Sequence, residues 1–177
     1  MTYRDIQRHT FLNVQFLVSL RDYAGKDEEH WSHMRQDQHR IVWEGLAFER
    51  ICLQHARQIK SALGIAGVAT EESAWVKRAA NGERGAQIDL VIRRGDRVTN
   101  LCEMKFASGE YEISSACETA LRNKMEAFRR ETKTKDTLHL TFVTTYGLVR
   151  NSHASIARSQ VTLEDLFRSE EHRTPVT

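Results

Sequence analysis

From Gly85 to Phe106 the chain reads GAQIDLVIRRGDRVTNLCEMKF, two apolar runs around a charged turn at Gly95. Short β-rich runs bounded by glycine and charge predict two strands of a hairpin. The same reading places other elements around them. Residues 3–24 carry apolar positions at helical spacing, with Ile6, Phe11, Val14, Leu17 and Val18 on one side, and predict a helix. Gly25–Gln38 is polar and reads as a linker. His39–Gly64 predicts one long helix with a glycine stop. Val68–Arg78 predicts a strand and Glu83–Gly85 a loop. Ile113–Thr132 predicts a helix capped by Ser114 or Ser115. Thr137–Tyr146 is β-branched and predicts a further strand. Val161–Phe167 reads as a strand end followed by a short helix capped by Thr162, and the tail from residue 169 as frayed. The expected architecture is α/β, a mixed central sheet flanked by helices in the order αβββαβ, with an extra N-terminal helix. Residues 1–38 are assigned to that helix and its linker, 39–168 to the folded domain and 169–177 to the tail.

Three charges interrupt the most strand-like segment. Side chains two apart on a strand share a face. Glu103 and Lys105 therefore point one way with Leu101, and Gln87, Asp89 and Val91 are expected to share a face. Whether the two sets coincide depends on register. A three-residue loop, Gly95-Asp96-Arg97, pairs Arg94 with Val98 and brings Asp89 opposite Glu103 and Gln87 opposite Lys105. A two-residue Gly-Asp loop puts Asp89 opposite Cys102 and separates the carboxylates. The first register is the one adopted. It leaves two ways to offset the burial of like charges. Lys105 neutralises one carboxylate in a plain ion cluster, or oxygen ligands hold a divalent cation such as Mg²⁺ or Mn²⁺.

The long predicted helix supplies an independent carboxylate. Val42, Leu46, Leu53 and Ala56 form an apolar stripe with Glu49 inside it, and Ile41, Gly45, Phe48, Cys52 and Ile59 form a second stripe alongside. Packed against the sheet, this face would add Glu49 to the acidic group.

Composition narrows the class without naming a partner. The 177 residues suffice for one hydrophobic core, and 40% hydrophobic with 28% charged residues is the balance of a globular chain. Lysine plus arginine exceeds aspartate plus glutamate by 26 − 24 = 2, so any basic surface arises from clustering. Cys52, Cys102 and Cys117 lie in apolar surroundings and read as core thiols of a cytoplasmic protein. No apolar run approaches the ~20 residues of a membrane helix, and a signal peptide is not expected. His30, His33 and His39 read as solvated, His139 as a packing residue, and Trp31, Trp43 and Trp75 as packing aromatics.

Asp89, then thirteen residues (90–102), then Glu103-x-Lys105 resembles the PD-(D/E)XK nuclease pattern. The segments WEGLAFERICLQHARQIKSALGI, GAQIDLVIRR, NLCEMKF and LRNKMEAFRRET…LHLTFVTTYGL resemble, more narrowly, the C-terminal nuclease-like domain of certain prokaryotic AAA+-type ATPases. The resemblance spans residues 28–168. Two departures stand out. Ile88 occupies the place of the superfamily's namesake proline, and Gln87 stands where glutamate is common. No GxxxxGK[ST] phosphate loop is present.

The resemblance implies a restriction-endonuclease-like core and an Mg²⁺- or Mn²⁺-dependent endonuclease acting on nucleic acid, above all DNA, within an ATPase-linked defence or mobile-element system. It implies Asp89 and Glu103 as metal ligands, with Glu49 acting directly or through water. Lys105 would orient a metal-bound water or stabilise charge on the transition state, and Gln87 would position the nucleophile. Lys77, Arg78, Arg84, Arg122, Lys124 and Arg129 are candidate phosphate contacts, with Arg93, Arg94, Arg97, Arg130, Lys133 and Lys135 in the same basic set. An ATPase partner and a homodimer are expected as partners, and a membrane is not. The alternative is a non-catalytic module of the same fold, used for assembly or nucleic-acid binding.

Overall fold

The computed structural model describes residues 38–79 and 85–168. The helix expected at 3–24, most of the following linker, His30, Trp31, His33, Arg84 and the tail lie outside them. By compactness the chain divides at Ala47/Phe48 into Met1–Ala47 and Phe48–Thr177. The first unit is described only from residue 38, where α1 (Gln38–Gln54) begins. The rest concerns the second unit.

The single helix expected from His39 to Gly64 is two. α1 ends at Gln54 and α2 spans Ala56–Ala62, with His55 at φ −106° and ψ 27° between them. The His55 ring meets the Ile51 carbonyl at 2.8 Å, which also accepts the His55 main-chain N–H at 3.1 Å, and the ring packs 4.8 Å from the Phe167 ring. α2 stops as the glycine predicts. Gly64 has φ +71°, and Ile65 and Gly64 donate to the Lys60 and Ser61 carbonyls at 2.9 and 3.0 Å.

Five strands follow in sheet order: β1 (Thr70–Lys77), β2 (Ala86–Arg94), β3 (Val98–Lys105), β4 (Thr137–Thr144) and β5 (Ser159–Thr162). β1 and β2, and β2 and β3, pair antiparallel; β3 and β4, and β4 and β5, pair parallel. Arg93 pairs with Thr99 and Leu90 with Cys102, so the connection is the three-residue Gly95-Asp96-Arg97 loop. Arg97 takes the left-handed conformation, φ 63°, that closes such loops. The parallel step from β3 to β4 needs a crossover, which α3 (Ser115–Thr132) provides. Of the two expected caps, Ser114 is the one that forms, accepting from the Cys117 N–H at 3.2 Å. α4 (Leu163–Phe167) ends the described chain, and Asp165 accepts from both the N–H and the hydroxyl of Thr162 at 2.9 Å.

The sheet is buried on both sides. On one side Phe48, Cys52, Ala56 and Ile59 pack with Leu90, Ile92, Cys102, Met104, Val143, Val161 and Leu166. On the other, Leu121 and Phe128 of α3 pack with Ile88, Val91, Leu101, Leu138, Leu140 and Phe142. The alternation along β3 follows the pleat. Along β2 it slips, and the slip falls on Asp89.

Candidate functional site

Ser73 of β1 pairs with Val91, and Trp75 pairs with Ile88. Two steps on β1 are matched by three on β2, so Asp89 and Leu90 together oppose Ala74. This is a β-bulge, a device that re-aims a side chain. Its effect is visible in the cores: Leu90 joins Ile92 on the α1 side, while Ile88 joins Val91 on the α3 side. The expectation that Gln87, Asp89 and Val91 share a face is therefore overturned. The Asp89 carboxylate instead accepts from the main-chain N–H of Met104 at 3.1 Å. The β2–β3 pairing runs from Arg93↔Thr99 to Leu90↔Cys102, and the next donor on β3's far side is met by a side chain. Asp89 lies at the seam of the two strands, beside Glu103.

Glu103 is 6% exposed, and two lysines satisfy its carboxylate. Lys105 Nζ lies 2.8 Å from Oε1, and Lys124 Nζ of α3 lies 2.5 Å from Oε2. Glu103 and Lys105 share a face, as the pleat predicts. Burial raises the Asp89 pKa above the ordinary carboxylate value, and the Glu103 charge raises it further. The Met104 N–H, Lys105 and Lys124 oppose both. Burial pulls Lys105 down, yet Glu103, by charge and hydrogen bond, together with Asp89, holds it above the ordinary lysine value. Lys105 is thus an ammonium and a donor.

Glu49 approaches from α1. Phe48, its neighbour, is buried against Phe106, with ring centroids 6.1 Å apart, which sets this turn of the helix at the Lys105 end of β3. The buried Cys52 thiol is pushed up to about 12, first by burial, then by the charges of Asp89 and Glu49. The same two carboxylates therefore act on one thiol from two elements. The Cys102 thiol is raised by burial and then by Asp89. Both cysteines are protonated packing groups.

The donor chemistry bears on a metal directly. Among the described residues no group of three or more His, Cys, Asp and Glu side chains is gathered to hold an ion. Mg²⁺ does not require such a cage. It keeps several waters and binds through one or two carboxylates plus phosphate oxygens. Asp89 and Glu103, two hard oxygen donors that repel each other in a largely buried setting, fit that mode. A divalent cation would offset both the burial and the Glu103 charge that lift Asp89.

The remaining expected site residues are dispersed. Gln87 is exposed on β2. Lys77 pairs with Glu131 at 3.3 Å, and Arg122 with Glu118 at 2.5 Å. Arg78 and Arg129 are exposed. Arg93 pairs with Glu71 and Arg94 with Asp96, next to Arg97 at the hairpin loop. From Asp89 to that loop β2 extends six residues, about 20 Å at the usual rise, so these three arginines belong to the opposite end of the hairpin.

Sequence reasoning gave one residue near the site a different role and did not assign another. Lys124 was expected as a phosphate contact, but it occupies the inward side of α3 between Leu121 and Phe128, paired with Glu103. A lone charge three residues after one core position and four before the next was a readable signal, of the kind that singled out Glu49. Tyr111 lies in a loop without periodicity. Its ring stacks on Phe142 at 6.0 Å, and its hydroxyl is 3.8 Å from the Cys117 sulfur. Its pKa, raised to about 12 mainly by burial and Cys117, is also influenced by Lys105 and Glu103.

No protein-family model, curated protein or solved structure matches this chain. No helix among the described residues is long and apolar enough to cross a membrane.

Proposed function

We propose that the chain is a metal-dependent nuclease of the PD-(D/E)XK type, with a restriction-endonuclease-like core, that hydrolyses phosphodiester bonds in DNA. One observation carries the reading. A bulge places Asp89 at the parting of β2 and β3, beside the Glu103–Lys105 pair, close enough for the charge of Glu103 to raise it. Bulges cost ladder hydrogen bonds and recur next to active sites. Here the break falls on the motif's aspartate.

In this reading Asp89 and Glu103 would hold Mg²⁺ or Mn²⁺, with Glu49 contributing from α1. The bound ion supplies Lewis acidity toward the phosphate and a water of lowered pKa. Lys105, kept as an ammonium by Glu103 and Asp89, donates to the attacking water or to the charge developing on phosphorus-bound oxygen. Gln87, exposed near the end of β2, would position the nucleophile by resemblance. An ATPase partner, a homodimer and a role in defence or mobile-element biology remain part of the proposal by resemblance.

A second reading rests on the double neutralisation of Glu103 by Lys105 and Lys124. A nuclease-fold module for assembly or nucleic-acid binding would keep such a closed ion cluster. Incubation of supercoiled plasmid and RNA with Mg²⁺ or Mn²⁺ separates the two. The nuclease reading expects metal-dependent nicking that Lys105→Ala and Asp89→Asn abolish while both variants stay folded. Equal cleavage by wild type and variants, or none by the wild type, refutes it.

A further inference from the structure

We propose that Lys124 is an internal counter-cation that competes with a divalent metal ion for Glu103, so that loading the metal requires Lys124 to leave that carboxylate. The inference rests on the metal-binding reading above and assigns a role that reading does not need.

The charge count is the starting point. Asp89 and Glu103 bring two carboxylates and Lys105 and Lys124 two ammonium groups, before Glu49 of α1 is counted. A divalent ion entering on Asp89 and Glu103 adds two positive charges beside two ammonium groups before phosphate arrives. Each oxygen of Glu103 already has its own ammonium, at 2.8 and 2.5 Å, so an ion that takes either oxygen displaces or crowds a lysine.

Geometry selects which lysine gives way. Lys105 stands on the same strand two residues from Glu103; Asp89 feels the charge of both lysines, and Tyr111 that of Lys105. Lys124 arrives from a different element, α3, and its four-carbon arm can turn aside without moving the strand that carries Glu103. The Lys124 side chain is 21% exposed and that of Glu103 is 7% exposed, so solvent screens the pair little and competition with a cation is strong. The presence of a lysine on a helix face otherwise built from Leu121 and Phe128 is accounted for by this role. It stabilises two acidic groups in the metal-free chain and yields to the ion.

The test uses the full chain, Mn²⁺ titrated by calorimetry, and metal-free thermal unfolding. Lys124→Gln is expected to bind Mn²⁺ about ten-fold tighter than the wild type, the equivalent of about 1.4 kcal/mol, and to unfold at a lower temperature without metal. Lys124→Arg, which keeps the charge, is expected to stay near wild type in both. Arg168→Gln removes one positive charge at Glu164 of α4 and is expected to leave Mn²⁺ affinity unchanged. Should Lys124→Gln not fold, NMR of the ¹⁵N-lysine ammonium groups in the wild type serves instead: Mg²⁺ is expected to release the Lys124 signal from its hydrogen-bonded position. Mn²⁺ binding by the wild type with no gain in Lys124→Gln, or a Lys124 signal unmoved by bound Mg²⁺, overturns the competition and leaves the metal reading standing. No Mn²⁺ binding by any of the chains overturns both.

Discussion

Asp89→Asn should make the metal-free protein more stable. The substitution keeps an oxygen to accept from the Met104 N–H and removes the negative charge that burial and Glu103 both oppose. The sign follows from linkage. The folded pKa of Asp89 lies above its ordinary value of 3.8, so the native chain holds this proton more tightly than the unfolded one. Stability is therefore lost as pH rises from the ordinary carboxylate range through the raised value, and the penalty is complete above it. Every ten-fold weakening of Asp89 ionisation corresponds to about 1.4 kcal/mol at neutral pH, which in a chain of this size moves Tm by roughly 2–4 °C per kcal/mol. Metal should reverse the order. At an Mg²⁺ concentration about a hundred times its Kd, the wild type gains roughly 2.7 kcal/mol, and Asp89→Asn, lacking a ligand, gains little. Thermal unfolding of both chains at neutral pH, with and without Mg²⁺, and of both at pH 4 without it, reads all three effects. If Asp89→Asn is less stable than wild type without metal and responds equally to Mg²⁺, the carboxylate is a satisfied structural group and the reasoning fails.

Arg94→Gln with Arg97→Gln, at the hairpin end remote from Asp89, should leave the rate of phosphodiester cleavage within about two-fold of wild type, since surface charges a Debye length or more away are screened. A large loss of rate would mean that the loop and the site act together. Phe142→Ala should cost about 3–5 kcal/mol, because the ring is fully buried and carries the stacked Tyr111. Urea denaturation measures it, and a loss below 1 kcal/mol would contradict the packing described. Gly64→Ala should destabilise by about 1 kcal/mol, from its left-handed φ of +71° alone, since no neighbouring atom lies within 4 Å of an added Cβ.

The order of elements, the crossover helix and the three-residue hairpin loop were legible because each has a local signature. Gly95 with flanking charges marked the loop, the Ser114 hydroxyl the start of α3, and Gly64 the end of α2. The bulge at Asp89 was not legible. No glycine or proline marks it, and it arises from how β1 lies against β2, a relation that period-two counting along β2 alone does not contain. For the same reason the alternation placed Asp89 with Val91, whereas the structure turns it to the seam. The break at His55 is likewise tertiary. A histidine is tolerated in a helix, and nothing in the sequence marks the turn at His55, whose ring meets the Ile51 carbonyl and the Phe167 ring. Glu49 was singled out from its apolar stripe. Lys124 carried the same kind of signal, but the basic residues around it, Arg122, Arg129 and Arg130, made it read as one more phosphate contact.

The most direct test is diffraction from crystals of the full chain soaked in Mn²⁺, recorded for the manganese anomalous signal. An ion bound by carboxylate oxygens of both Asp89 and Glu103, with Lys105 still beside it, is the expected result. Carboxylates that retain their bonds to the Met104 N–H, Lys105 and Lys124 at saturating Mn²⁺, with no peak between them, would contradict it.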